Sequence, residues 1–235
     1  MNQTLSRLSP RCSSVLSLCA LVAIQILCHP GKGFAAETAP LPLELPQAGY
    51  AGTPKEMPPD TTAEKPSDKP RPPFMAPKGV KNVALGKLVT SSDSAPISGE
   101  LKLITDGKKE AYDENVVILR RRTQWVQVDL GASYSIYVVV LWHEHKTPLI
   151  YRDVVVQVSD DPEFKANVVT VFNNDQDNSS AAGIGTDREY FENYEGKLID
   201  SKGAKGRYVR CYSKGSTDSA LNCYTELEVY ALPAQ

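Results

Sequence analysis

The 235-residue chain is short of cysteine and histidine, has no long apolar run and carries no excess charge of one sign. Each scarcity removes a class of function. Only Cys211 and Cys223 lie beyond residue 35, and neither has a close cysteine or histidine partner in sequence, which argues against a zinc-type site. His143 and His145 could chelate a transition metal on an extended segment, but no third ligand lies nearby. A net charge of −2 gives no basic footprint for nucleic acid. The one basic run, Arg120-Arg121-Arg122, reads as a solvated loop or as a contact for an anionic glycan. No Gly-x-Ser-x-Gly elbow is present, and acid pairs such as Glu189 with Glu192, or Asp153 with Asp160, mean nothing catalytic without a cleft between them. The longest apolar run, Val15 to Cys28, spans 14 residues and is broken by Ser17 and Gln25. That is short of the ~20 residues needed to cross a bilayer.

What is present divides the chain into three. Residues 1–35 have Arg7 and Arg11 ahead of the apolar run and a small-x-small site at Gly33-Phe34-Ala35, the pattern of a cleaved export signal. The mature chain is then expected to begin near Ala36, without a transmembrane span, in the periplasm, at a cell surface or in the medium. Residues 36–78 hold 11 of the 17 prolines. Proline removes amide donors and favours extended backbone, so this stretch is expected to be a disordered, partly polyproline-II linker. The remaining residues, 79–235, suffice for one hydrophobic core.

In that last region apolar alternation of period two recurs between Gly, Pro, Asn and Asp, while helical periodicity is hard to find. Strands are expected near 124–130, 134–142, 150–158, 167–172, 207–213 and 225–231, with one or two short ones between 82 and 104. Val126, Val128 and Leu130 share one face of their strand. Ile136 to Trp142 is apolar throughout, the mark of a strand buried on both faces. The fold expected is all-β, an antiparallel sandwich. An exported chain meets an oxidising compartment, so a Cys211 to Cys223 disulfide is expected if their strands lie near each other.

Asn82-Val83-Ala84-Leu85-Gly86-Lys87, Trp125-Val126-Gln127-Val128-Asp129-Leu130-Gly131, Arg207-Tyr208-Val209-Arg210 and Glu226-Leu227-Glu228-Val229-Tyr230 occur in an order and spacing that resembles the discoidin family. These are the coagulation-factor type C, galactose-binding-like modules. The resemblance implies an eight-stranded jelly-roll sandwich with ligand-carrying loops at one end, and a binding module rather than an enzyme. It also implies a structural calcium ion. Asp106 and Glu226 match the family's acidic ligands, and the carbonyls of Leu103, Lys108 and Thr225 would complete the set. The chain departs from the family after Asp106-Gly107, where Lys108-Lys109-Glu110 replaces the usual hydroxyl residue.

Trp142-His143-Glu144-His145-Lys146 ends an apolar strand, so Trp142, His143 and His145, with Tyr151 and Arg152 across the next loop, form the expected carbohydrate site: an aromatic face beside polar groups. A core role for Trp142 and Tyr151 is the competing reading. The run from Asn173 to Ser180 reads as a solvated turn, with a weak likeness to the start of a calcium loop. The expected partner is a carbohydrate or glycoconjugate, the alternative a surface protein.

Overall fold

A computed structural model of the chain describes residues 37–67 and 69–234. The expected export signal at 1–35 lies outside the described residues. Among those described, no helix is long and apolar enough to cross a membrane.

The domain is all-β and antiparallel, a galactose-binding-like sandwich. Its strands are β1 (Thr38–Pro40), β2 (Met75–Pro77), β3 (Lys81–Asn82), β4 (Leu88–Ser91), β5 (Val117–Leu119), β6 (Gln124–His143), β7 (Val155–Ser159), β8 (Val169–Asn173), β9 (Lys197–Ser213) and β10 (Asn222–Pro233). Eight of them hydrogen-bond in the order β3-β10-β6-β9-β7-β8, with β4 added to β6 and β5 to β10. The segments expected at 124–130 and 134–142 are one strand, β6, which serves both layers. Its first half pairs β4 and its second half pairs β10, while β9 accompanies both. The change of partner falls at a register break between Asp129 and Tyr134, where Gly131 takes φ +84 and its amide bonds the Asp129 carboxylate. A side chain there would be strained, which is why glycine holds the corner.

The alternation in β6 does what period two predicts. Val126, Val128 and Leu130 turn inward and join Val156, Val158, Val209, Leu227 and Val229 in one buried cluster. Each such side chain contributes about 1.5–3 kcal/mol by leaving water.

The proline-rich segment is not a free linker. Described as residues 37–67 and 69–78, it lies along the sandwich and opens and closes on the short ladder of β1 with β2, Thr38 opposite Pro77. Ala76 packs with Leu41, Leu43 and Phe74 against Val138, Val140 and Trp142 of β6 and Tyr230 of β10. This second cluster is the other dry face that the apolar run in β6 requires. Eleven prolines remove as many amide donors from the stretch, and some of the remaining ones find fixed acceptors: Thr62 N bonds Glu189 Oε2 at 3.0 Å, and Arg71 N bonds Glu195 Oε1 at 2.8 Å. The Arg71 guanidinium holds the carbonyls of Glu195 and Gly196, Tyr50 donates to the Glu192 carbonyl and Tyr230 to that of Pro42. The described part of this segment, from Glu37 on, accordingly belongs to the same compact unit as the sandwich.

The expected disulfide is also absent. Cys211 and Cys223 are both buried and free. Cys211 lies on β9 between Val126 of β6 and Val156 of β7, whereas Cys223 faces Ile118 of β5. Strand β6 separates β9 from β10, and Tyr224 bonds the Cys211 carbonyl with its hydroxyl.

Candidate functional site

Four of the five residues expected at the rim face inward. Strand β6 runs on through His143, so Trp142 stays in the second cluster, donating Nε1–H to the Tyr194 carbonyl at 3.0 Å. Its indole lies so close to Gly196, at φ +63, that a Cβ there would fall 2.5 Å from the ring. His143 is fully buried, with Nδ1 2.6 Å from Glu192 Oε1 and its ring stacked on Tyr151 at 4.2 Å. His145 is buried as well and meets the Lys109 carbonyl through Nε2. The two imidazoles therefore engage separate partners instead of chelating together. Trp142, His143, His145 and Tyr151 are core, and an aromatic carbohydrate platform built on them is ruled out by burial.

Arg152 remains at the surface and lines a polar cavity of about 310 Å³ with Thr62, Asp153, Asn174, Glu189 and Lys214. Donors and acceptors alternate around it. Arg152 Nη1 lies 3.0 Å from Glu189 Oε1, and Lys214 Nζ 3.3 Å from Asp153 Oδ2. The other Glu189 oxygen accepts Thr61 Oγ1 and Thr62 N, so one carboxylate ties the proline-rich strap to the cavity cation. Asn174 Oδ1 accepts the Val154 amide at 2.6 Å, which fixes the side chain and leaves its buried Nδ2 without a partner. A buried donor in that state costs about 1–3 kcal/mol unless a water or a ligand meets it.

The Asn173 to Ser180 turn walls this cavity. Carboxylate oxygens of Asp153, Asp175 and Asp177 approach within 4.8 Å of one another. Internal donors already serve them: Asp175 accepts both the Ser179 and Ser180 amides and the Ser180 hydroxyl, and Asp153 accepts the Ser179 hydroxyl beside Lys214. Burial works to raise the Asp175 pKa, yet the Ser180 hydroxyl and the amides outweigh it and hold the carboxyl below its usual range. The turn is braced from within, and no metal is needed to explain it. The arginine run likewise stays in solvent: Arg120 pairs Asp93 at 2.9 Å and Arg121 and Arg122 are exposed.

Of the expected calcium ligands, Glu226 on β10 lies against the turn that carries Asp106. A register shift between Tyr224 and Glu226 takes Thr225 out of the ladder and turns Glu226 beneath the Asp106-Gly107 turn, whose Gly107 amide donates to Glu226 Oε2 at 3.2 Å. Glu226 Oε1 is buried without a partner. Burial first, then the neighbouring Glu228, pushes the Glu226 carboxyl up to about 9. Lys109, the cation nearest, is committed to Glu228 at 2.5 Å. An orphaned, desolvated carboxylate beside Asp106 and turn carbonyls is a donor set of hard oxygens that fits a calcium ion.

Thr62, Asn174 and Lys214 are cavity residues that the sequence does not mark as a site, and Glu189 stands out in it only as one half of an acid pair. The segment carrying Asn174 reads as a solvated turn, and Thr62 falls in a stretch whose composition reads as disordered. The unbroken apolar run in β6 was the available signal, since its second face needs a cover and the strap is that cover.

Residues 103–211 match a family model described as a NedA-like, galactose-binding domain of the coagulation-factor type C group. No curated protein matches the chain. Among solved structures, a fucose binding module of Streptococcus pneumoniae is 21% identical, with 65% of this chain and 98% of that one covered and a TM-score of 0.43. A Clostridium perfringens module solved with GlcNAc-α-1,4-galactose is 20% identical, with coverages of 66% and 96% and a TM-score of 0.47. A family 89 glycoside hydrolase of the same organism is 15% identical, with a TM-score of 0.48; the match takes in 65% of this chain but only 15% of the hydrolase. Over residues 103–211 the β-sandwich of this chain resembles the galactose-binding domains of that family.

Proposed function

We propose that this is an exported, non-catalytic carbohydrate-binding protein whose sugar site is the Arg152 cavity. The observation that carries the reading is the polar cavity in which Arg152 pairs with Glu189 and Lys214 with Asp153, beside Thr62 and Asn174. A pyranose presents hydroxyls that both donate and accept, and a ring of alternating donors and acceptors suits them. The description of the matching family model, galactose-binding, supports the same class. Two of the cavity acids are held by cations, Glu189 by Arg152 and the strap and Asp153 by Lys214 and Ser179, which suits them to fixing a ligand's hydroxyls. Glu192 is sealed inside against His143.

Calcium belongs to this reading as a structural ion, held by Asp106, Glu226 and the carbonyls of Leu103, Lys108 and Thr225. It would neutralise the buried carboxylate and pin the turn over β10.

The test is a glycan array probed with the mature chain, residues 36–235, and with Arg152→Ala. Loss of the charge-assisted contacts should weaken selective binding roughly tenfold to a hundredfold, while Arg121→Ala, on the exposed loop, should bind as the parent does. A chain that binds no glycan, or an Arg152→Ala variant that binds as well as the parent, would sink the proposal.

A further inference from the structure

The strap and the strand start opposite it enclose a second and larger space, a groove of about 730 Å³. Lys65, Lys69 and Pro70 stand on the strap side; Phe172, Tyr190 and Lys197 stand on the sandwich side. Lys197 Nζ is held between two rings, 4.7 Å from the centre of Phe172 and 4.6 Å from that of Tyr190, which meet edge-on at 5.9 Å. Among the described residues no carboxylate lies within ion-pair distance of this ammonium, nor of Lys65 or Lys69. The other two cations of the groove are already placed, Arg188 on Glu64 and Arg71 on backbone carbonyls.

This half-buried ammonium has lost hydration and touches ring faces where a carboxylate could sit; burial lowers the Lys197 pKa, while the charges of Asp187 and Glu192 at longer range work against that. Such a cation wants an anion. Asp187, Glu189 and Glu195 also border the groove. A compact dianion such as sulfate or phosphate would be repelled by them, whereas a ligand with one negative charge and several hydroxyls would use the lysine for its charge and these carboxylates as hydroxyl acceptors. Tyr190 and Pro70 offer apolar surface for the C–H face of a ring.

We propose that this groove is a second binding site, next to the Arg152 cavity and sharing only Glu189 with it, for a carboxylated pyranose such as a uronic acid residue of a glycan, with Lys197 receiving the carboxylate. The strap is then one wall of the site, and its lysines add long-range attraction for an acidic chain.

Isothermal titration of the mature chain with methyl glucuronide, methyl galacturonide, methyl glucoside and sodium acetate tests this. The two uronides should bind, the neutral glucoside at least about tenfold more weakly, and acetate negligibly. Lys197→Met, which keeps the stem between the rings but removes the charge, should reduce uronide binding to the level of the glucoside. Lys65→Ala/Lys69→Ala, on the strap surface, provides a variant whose folding does not depend on the aromatic pair and should weaken the uronides severalfold. Lys214→Ala, which borders the Arg152 cavity and not this groove, should leave uronide binding unchanged, so the two sites fail or stand separately. Absence of uronide binding, equal affinity for acetate, or uronide binding unaltered in both lysine variants would overturn the proposal.

Discussion

Glu226 shows at the scale of one residue how a sequence match becomes physical. The family pattern marks it, and the structure adds that one oxygen is orphaned and that burial followed by Glu228 drives the carboxyl up to about 9. Its sign is definite. The folded chain keeps the proton that the unfolded chain releases above the ordinary value of 4.5, so stability falls as pH rises from about 4.5 to about 9. In EDTA the melting temperature should therefore decline from about pH 5 to about pH 8, and calcium should flatten the decline. At a hundredfold excess over its Kd the ion would add about 2.7 kcal/mol, roughly 5–10 °C for a domain of this size. Glu226→Gln should remove both the slope and the calcium response. A melting curve in which calcium shifts nothing at any pH would reject the ion. The histidines and Trp142 illustrate the reverse case. Their residue types suit a sugar platform, but the strand continues one residue further than the alternation shows, and that single step puts His143 against Glu192 instead of solvent.

At the scale of elements, most of the strands could be read because alternation with one dry face leaves a clear mark. β5 and the first half of β9 could not, since three residues at Val117–Leu119 are too few for a period, and Lys197 to Gly206 carries charge and glycine through a bend in the sheet. The strap was misread because composition reports only what a segment can bury by itself. Here the apolar partner is supplied by β6, and the missing amides reduce the number of hydrogen bonds that docking must satisfy. Arg71 is the place to test this. Arg71→Ala removes two donors from the carbonyls of Glu195 and Gly196 and should cost about 1–3 kcal/mol of local stability. A glutamate-specific protease should cut the parent slowly at Glu64 and the variant several times faster, with the sandwich intact in both. A parent cut as fast as the variant would show that the strap spends its time detached.

For the whole molecule, the strap and the last strand meet across nearly the full length of the chain: Tyr230 donates to the Pro42 carbonyl, 188 residues away. β6 and β9 likewise pair Gln124 with Ser213. Contacts so distant in sequence close late and slowly, so the fold can finish only once the C-terminal strand is available. The two thiols report on whether it then opens as a unit. Both are buried, Cys211 with its pKa pushed up by burial and Cys223 raised by burial to about 11. Neither offers a thiolate near pH 8. Residues 36–235 should thus show two thiols that resist a disulfide reagent when native and both react in denaturant without prior reduction; none reacting would restore the disulfide. The denaturant dependence carries further information. Cys211 sits in the centre of the sandwich, while Cys223 is the second residue of β10, just after the loop that follows Lys214 of the polar cavity. Labelling of both at one rate, tracking global unfolding, would mean that the rim is as rigid as the core and that its ligand meets a preformed site. Faster labelling of Cys223 alone would mean that the rim loop opens while the sandwich stays closed, and a sugar bound at Arg152 should then slow that reaction specifically.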